Sequence, residues 1–145
     1  MKKTLFLISV LFAAVISGCT NYAPDCSDPQ TKNLVTQIVG ESLTKILSED
    51  TDFFQMVANS KNMVFHNTIK QIKLSLTYPI TIDKNNDTGA YVCKGTVEAE
   101  AYGKTESVPI SYTSEITDSG NNFYVTVADL PERKQGILLT VLMTK

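Results

Sequence analysis

Thiols, one imidazole and a few spaced carboxylates are the groups in this chain whose types and spacing invite a chemical reading. There are three cysteines, Cys19, Cys26 and Cys93, and a single histidine, His66. A zinc-type centre takes four nitrogen, sulfur or oxygen ligands. Cys26, Cys93 and His66 fall short of that, so no metal site is assigned. No Cys-x-x-Cys redox pair occurs, and there is no Gly-x-Ser-x-Gly elbow, His-Glu-x-x-His motif or glycine-rich phosphate cradle. His66 stands between Phe65 and Asn67 with no partner motif and reads as structural. Glu98 and Glu100 fall on one side of a period-two segment whose other side is apolar, which makes them solvated surface charge. Asp83-x-Asn85-x-Asp87 spaces oxygen ligands as calcium loops do. However, the glycine comes seventh, at Gly89, and the twelfth position is Lys94, where a bidentate Glu belongs. A hairpin turn accounts for each of these residues. No catalytic residue and no cofactor is assigned.

The first 19 residues carry a different kind of chemistry. Lys2 and Lys3 precede an apolar run from Leu5 to Ile16 broken only by Ser9, and Ser17-Gly18 lead into Cys19. This is the three-part layout of a signal peptide. The run is too short for a permanent span, which needs about 20 residues to cross ~30 Å of hydrocarbon. Ile16-Ser17-Gly18-Cys19 resembles the lipobox of bacterial lipoprotein precursors. The resemblance implies that residues 1–18 are cut away and that Cys19 is thioether-linked to diacylglycerol. It also implies that the new amine is acylated, for instance with palmitate. Two or more chains anchor stably where one does not. In enterobacterial lipoproteins an Asp after the Cys favours inner-membrane retention, so Thr20 implies an outer-membrane protein facing the periplasm. The alternative is an ordinary secretory signal whose cut falls near a cysteine.

With Cys19 acylated, Cys26 and Cys93 are the right number for one disulfide, and an oxidising periplasm would preserve it. The bridge would close roughly 70 residues and contribute ~4 kcal/mol in the chain-entropy account. Two separately buried thiols are the other reading.

Removing residues 1–18 leaves 127 of the 145 residues, one domain's worth, with 11 basic against 15 acidic side chains and a formal charge of −4. No basic stripe invites nucleic acid. Residues 19–27 read as a lipidated tether and 28–145 as a single periplasmic domain.

Asp28-Pro29 reads as an N-cap followed by proline at the first helical position. Leu34, Val35, Ile38, Val39, Leu43, Ile46 and Leu47 keep a 3.6-residue period, predicting an amphipathic helix over about 29–49. Asp50-Thr51-Asp52 can cap a shorter helix carrying Phe53, Phe54, Met56 and Val57 to about Asn59. The period then becomes two. Ile72, Leu74, Leu76, Tyr78, Ile80 and Ile82 alternate with polar residues, predicting one long strand with all six on its buried face. Pro79 cannot donate to a ladder, so the strand lies at an edge or bends there. Residues 83–89 form a turn. A second strand sets Tyr91, Cys93, Val97, Ala99 and Ala101 inward; Tyr102-Gly103-Lys104 turns the chain. A third strand carries Val108, Ile110, Tyr112 and Ile116 and a fourth Phe123, Val125 and Val127, with a turn at 119–122 between them. Ile137–Met143, apolar on both sides, is expected as a buried last strand, with a short helix as the alternative.

The expected fold is therefore α+β. A leading amphipathic helix, with a short second helix, packs on a curved antiparallel meander of four to five strands. That order resembles cystatin-like and NTF2-like folds, a likeness that carries no function by itself. The expected role is that of a lipid-anchored, non-enzymatic accessory protein working through contact with an envelope protein. Small lipoproteins resembling this layout serve in exclusion systems of mobile elements, in secretion machines and as lysozyme inhibitors, the last usually β-rich without a long leading helix and so a poorer match. The other reading is a carrier or sensor that holds a small apolar ligand between helix and sheet, among Tyr78, Tyr91, Tyr112, Phe123, Phe53 and Phe54.

Overall fold

The computed structural model describes residues 22–49, 71–120 and 122–142. Cys19, His66 and the short helix expected around Phe53–Asn59 lie outside the described residues. Within them the chain is α+β. Helix α1 (Pro29–Glu49) is followed by a four-stranded antiparallel meander, β1 (Lys73–Lys84), β2 (Tyr91–Ala101), β3 (Lys104–Ile116) and β4 (Phe123–Val127). A second helix, α2 (Glu132–Leu139), runs into one 3-10 turn (Thr140–Leu142). Strand order in the sheet equals chain order, leaving β1 and β4 as the edges.

The helix starts where its sequence says it should. Asp28 Oδ1 accepts a hydrogen bond from the Gln30 N–H at 2.7 Å, and Pro29, whose missing N–H needs no partner, takes the first turn. Val35, Val39, Leu43 and Leu47, four residues apart, are buried, flanked by half-buried Leu34, Ile38 and Ile46. The stripe meets the inner face of the sheet, where Cys93, Val97, Ala99, Val108, Ile110 and Tyr112 are buried. Both edge strands contact α1, so the sheet cups the helix. The β2–β3 connection is a two-residue turn with Ala101 opposite Lys104. Tyr102 and Gly103 both have positive φ, 50° and 74°, the geometry that matches the twist of a hairpin.

Two expectations need correction. The first concerns β1. Leu74 and Leu76 face the core as expected, but Tyr78, Ile80 and Ile82 are 79, 54 and 51 % exposed. Thr77 pairs with Thr96 and Ile80 with Lys94, so Tyr78 and Pro79 together oppose Gly95 alone. This bulge inserts one residue, and in a structure of period two one residue moves every following side chain to the other face. Thr81 consequently faces inward opposite Cys93, and Ile80 joins Lys94 on the outer face. A second shift, between Thr81 and Asp83, leaves Ile82 as the extra residue. The bend expected at Pro79 is there; its effect on the buried face is the opposite of simple alternation.

The second correction concerns the tail. Residues expected as a last strand are helical, with Leu138, Leu139 and Val141 fully buried. Pro131 begins the helix, and Gln135 Nε2 donates to the Leu130 carbonyl at 2.8 Å. A run that is apolar on both sides fits a buried helix as well as a buried strand. Here α2 lies on β3 and against α1, closing the core that a four-stranded sheet and one helix leave open.

Candidate functional site

Of the groups singled out from the sequence, Cys26 and Cys93 meet where the chain enters the fold. Cys26 and Cys93 sit at disulfide distance, with Cα atoms 5.7 Å apart and both side chains buried. Cys93 belongs to the inner face of β2, and Cys26 lies three residues ahead of α1, so the bridge ties the entry of the chain to the middle of the sheet. Around it, Thr81 Oγ1 donates to Cys26 Sγ at 3.2 Å, and the Tyr112 hydroxyl donates to the Cys26 carbonyl at 2.9 Å. Burial, with the negative charge of Asp25 next, pushes the Tyr112 phenol up to about 12. Asp25 itself is held below the usual carboxylate range, first by the Ser27 hydroxyl and then by the Ser27 N–H, which approach Oδ1 at 2.7 and 2.8 Å.

The segment expected as a tether is therefore partly folded. Ala23 and Cys26 are 4 and 1 % exposed, and Thr31, fully buried, reaches back to the Pro24 carbonyl. Just ahead of them, the Tyr22 ring lies under the Lys84 ammonium, 4.8 Å from its centroid, and Tyr91 shares the same cation at 5.1 Å. Tyr22, the first of the described residues, thus rests against the far end of β1.

The remaining candidates are separate from this cluster. Glu98 Oε1 accepts from the Thr77 hydroxyl at 3.1 Å beside the bulge, while Glu100 is exposed. In the β1–β2 loop, Asn85 Oδ1 accepts from the Asp87 and Thr88 N–H groups and the Asn85 carbonyl from Gly89, which has φ of 70°. These are the bonds of a hairpin turn. No group of three or more His, Cys, Asp or Glu is placed to hold a metal ion among the described residues. Of the aromatics expected in the core, Tyr112 is buried, Tyr91 and Phe123 are half-buried, and Tyr78 is on the surface. Phe53 and Phe54 lie outside the described residues.

Sequence reasoning missed an apolar patch. Tyr78, Ile80 and Ile82 on β1 and Val92 on β2 are all exposed, and Val92 and Ile80 are diagonal neighbours on the outer face. Alternation alone counted three of these four as core. The clue that was available is Tyr78-Pro79, because a proline inside a strand marks a bulge or an edge.

Comparison with family models, curated proteins and solved structures finds no match. No helix among the described residues is long and apolar enough to cross a membrane.

Proposed function

We propose that this chain is a lipid-anchored envelope lipoprotein, acylated on Cys19 and acting without catalysis as an accessory protein that works through contact. The observation that supports it is the distance between the lipobox cysteine and the fold. Ala23, four residues after Cys19, is already buried, and Cys26 is bridged to the central sheet. Four residues of extended chain reach at most ~14 Å. A lipid on Cys19 would therefore hold the domain close against its membrane.

The carrier reading requires a hollow between α1 and the sheet. Among the described residues that interface is filled by Val35, Val39, Leu43, Leu47, Val97, Ile110 and Tyr112, each at most 4 % exposed. The grooves beside it are open at the surface. The one between α1 and the start of β1, about 410 Å³, has Gly40, Leu43, Ile72 and Leu74 along it. Contact with another macromolecule therefore fits better than enclosure of a ligand.

The test is intact mass spectrometry of the protein purified gently from its native envelope, with partners recorded by cross-linking. The expected species begins at Cys19 and carries the mass of a diacylglyceryl thioether, and a Cys19→Ser variant leaves the membrane fraction. A mature N-terminus elsewhere, or an unmodified Cys19, would overturn the anchored reading. A retained small molecule with no protein partner would overturn the accessory role.

A further inference from the structure

We infer that the exposed patch of Tyr78, Ile80, Ile82 and Val92 docks on the lipid bilayer that holds the acylated Cys19, laying the β1 side of the domain on the membrane surface. The inference rests on the anchoring proposed above and goes beyond it, because an anchor fixes a point and not an orientation.

Connectivity supplies the proximity. From Cys19 to Tyr22 the chain extends at most ~11 Å. Tyr22 is stacked against Lys84 at the end of β1, and Cys26 Sγ is 3.2 Å from Thr81 Oγ1. Residues 81–84 of β1 thus run beside the segment that leaves the membrane, and Ile80 and Ile82 flank Thr81. Ile82 is two residues from Lys84, on which Tyr22 rests, so the patch and the entry of the chain share one end of the β1–β2 hairpin.

The chemistry of the patch suits an interface between water and hydrocarbon. Its aromatic member, Tyr78, is 79 % exposed, and tyrosine favours the headgroup level. Lys94, opposite Ile80, is exposed and can reach outward to phosphates. The patch is also built at a conformational cost. Tyr78 has φ of 49°, in the left-handed region that a bulky residue rarely adopts, and such strain persists where the surroundings impose it and gathers at functional places. Its consequence here is to turn Ile80 out of the core.

The same features argue against a protein strand as the occupant. An added strand needs a regular row of free N–H and C=O groups along the edge. β1 is interrupted by two register shifts and by Pro79, and such devices discourage edge-to-edge pairing.

The chain contains no tryptophan, so one introduced residue becomes a unique reporter. Acylated full-length protein carrying Tyr78→Trp, or Ile82→Trp as a second site, is reconstituted into phosphatidylethanolamine–phosphatidylglycerol vesicles with lipids brominated on the upper acyl carbons. Tyr102→Trp, at the β2–β3 turn and the opposite end of the sheet, is the reference. Flotation measures anchoring independently of contact. The expected result is flotation of all three, with emission at 78 and 82 blue-shifted and more than halved by bromine, and emission at 102 unchanged. Ile80→Asp with Val92→Asp added to the Tyr78→Trp chain should restore the emission without preventing flotation. Flotation with no quenching at 78 or 82 overturns the docking and leaves the anchor standing. A blue shift without quenching, accompanied by self-cross-linking, assigns the patch to a second copy and also overturns it. Equal quenching at all three positions overturns an oriented contact. Failure to float removes the anchor, and the docking with it.

Discussion

Opening the Cys26–Cys93 bridge is the most quantitative perturbation the fold offers. The two residues are 67 apart in sequence, and freeing that loop returns ~4 kcal/mol of conformational entropy to the unfolded chain in the loop-closure account. Alanine at both positions is the suitable replacement, because both sites are buried and serine would leave hydroxyls there to be satisfied. The Tyr112 bond survives the change, since its acceptor is the backbone carbonyl of residue 26. For a domain of roughly 120 residues the unfolding entropy near the midpoint is ~0.25 kcal/mol/K, so ~4 kcal/mol lowers Tm by roughly 16 °C. Thermal unfolding followed by circular dichroism, on the double variant and on the parent with and without reductant, reads this directly. Hydrogen exchange supplies a second readout, with amides of residues 23–28 losing protection ahead of those in β2 and β3. A drop below about 3 °C in both the variant and the reduced parent would refute the loop-closure reasoning.

Other outcomes follow from single contacts. Leu76→Ala, at a 3 % exposed position, should cost ~2–5 kcal/mol, whereas Ile80→Ala, at 54 %, should stay within ~0.5 kcal/mol; equal losses in urea unfolding would put the bulge in the wrong place. The two glycine-to-alanine changes should have opposite signs. At Gly95 a Cβ would come within 2.9 Å of Leu76 Cδ1 and 3.3 Å of the Thr77 carbonyl, costing ~1–3 kcal/mol, while at Gly136, inside α2 with open space around it, alanine should add ~0.4–1 kcal/mol. Tyr112 has its folded pKa raised to about 12 from 10.0, so the folded state holds the proton more tightly and stability falls as pH rises from about 10 to 12, by at most ~1.4 kcal/mol per pH unit. Tyr112→Phe should flatten that alkaline limb and cost ~1–3 kcal/mol at neutral pH by leaving the Cys26 carbonyl unpaired.

How much of this was legible in the chain depended on whether the information was local. α1 could be read to the residue, because Asp28-Pro29 caps it and a four-turn apolar stripe repeats through it. The inward sets of β2 and β4 and the Tyr102-Gly103 turn follow from alternation and turn chemistry in the same way. The cysteine pairing was open to simple counting once Cys19 was set aside. The tail was not legible, since Ile137–Leu142 is apolar on every side and periodicity cannot separate a buried helix from a buried strand. There the space left over α1 and β3 decided.

The surface patch is the sharpest division between the two kinds of information. The alternation after residue 72 was enough to announce a strand, observed as Lys73–Lys84, and Pro79 was enough to announce a disturbance in it. Which way Ile80 and Ile82 point was decided by the partner strand. Tyr78 and Pro79 must share the one ladder place opposite Gly95, and a glycine there is what leaves room for Leu76 and the Thr77 carbonyl at the bulge. Alternation is a property of one strand, but register belongs to two, so a single inserted residue inverts a face that the strand's own sequence describes as core.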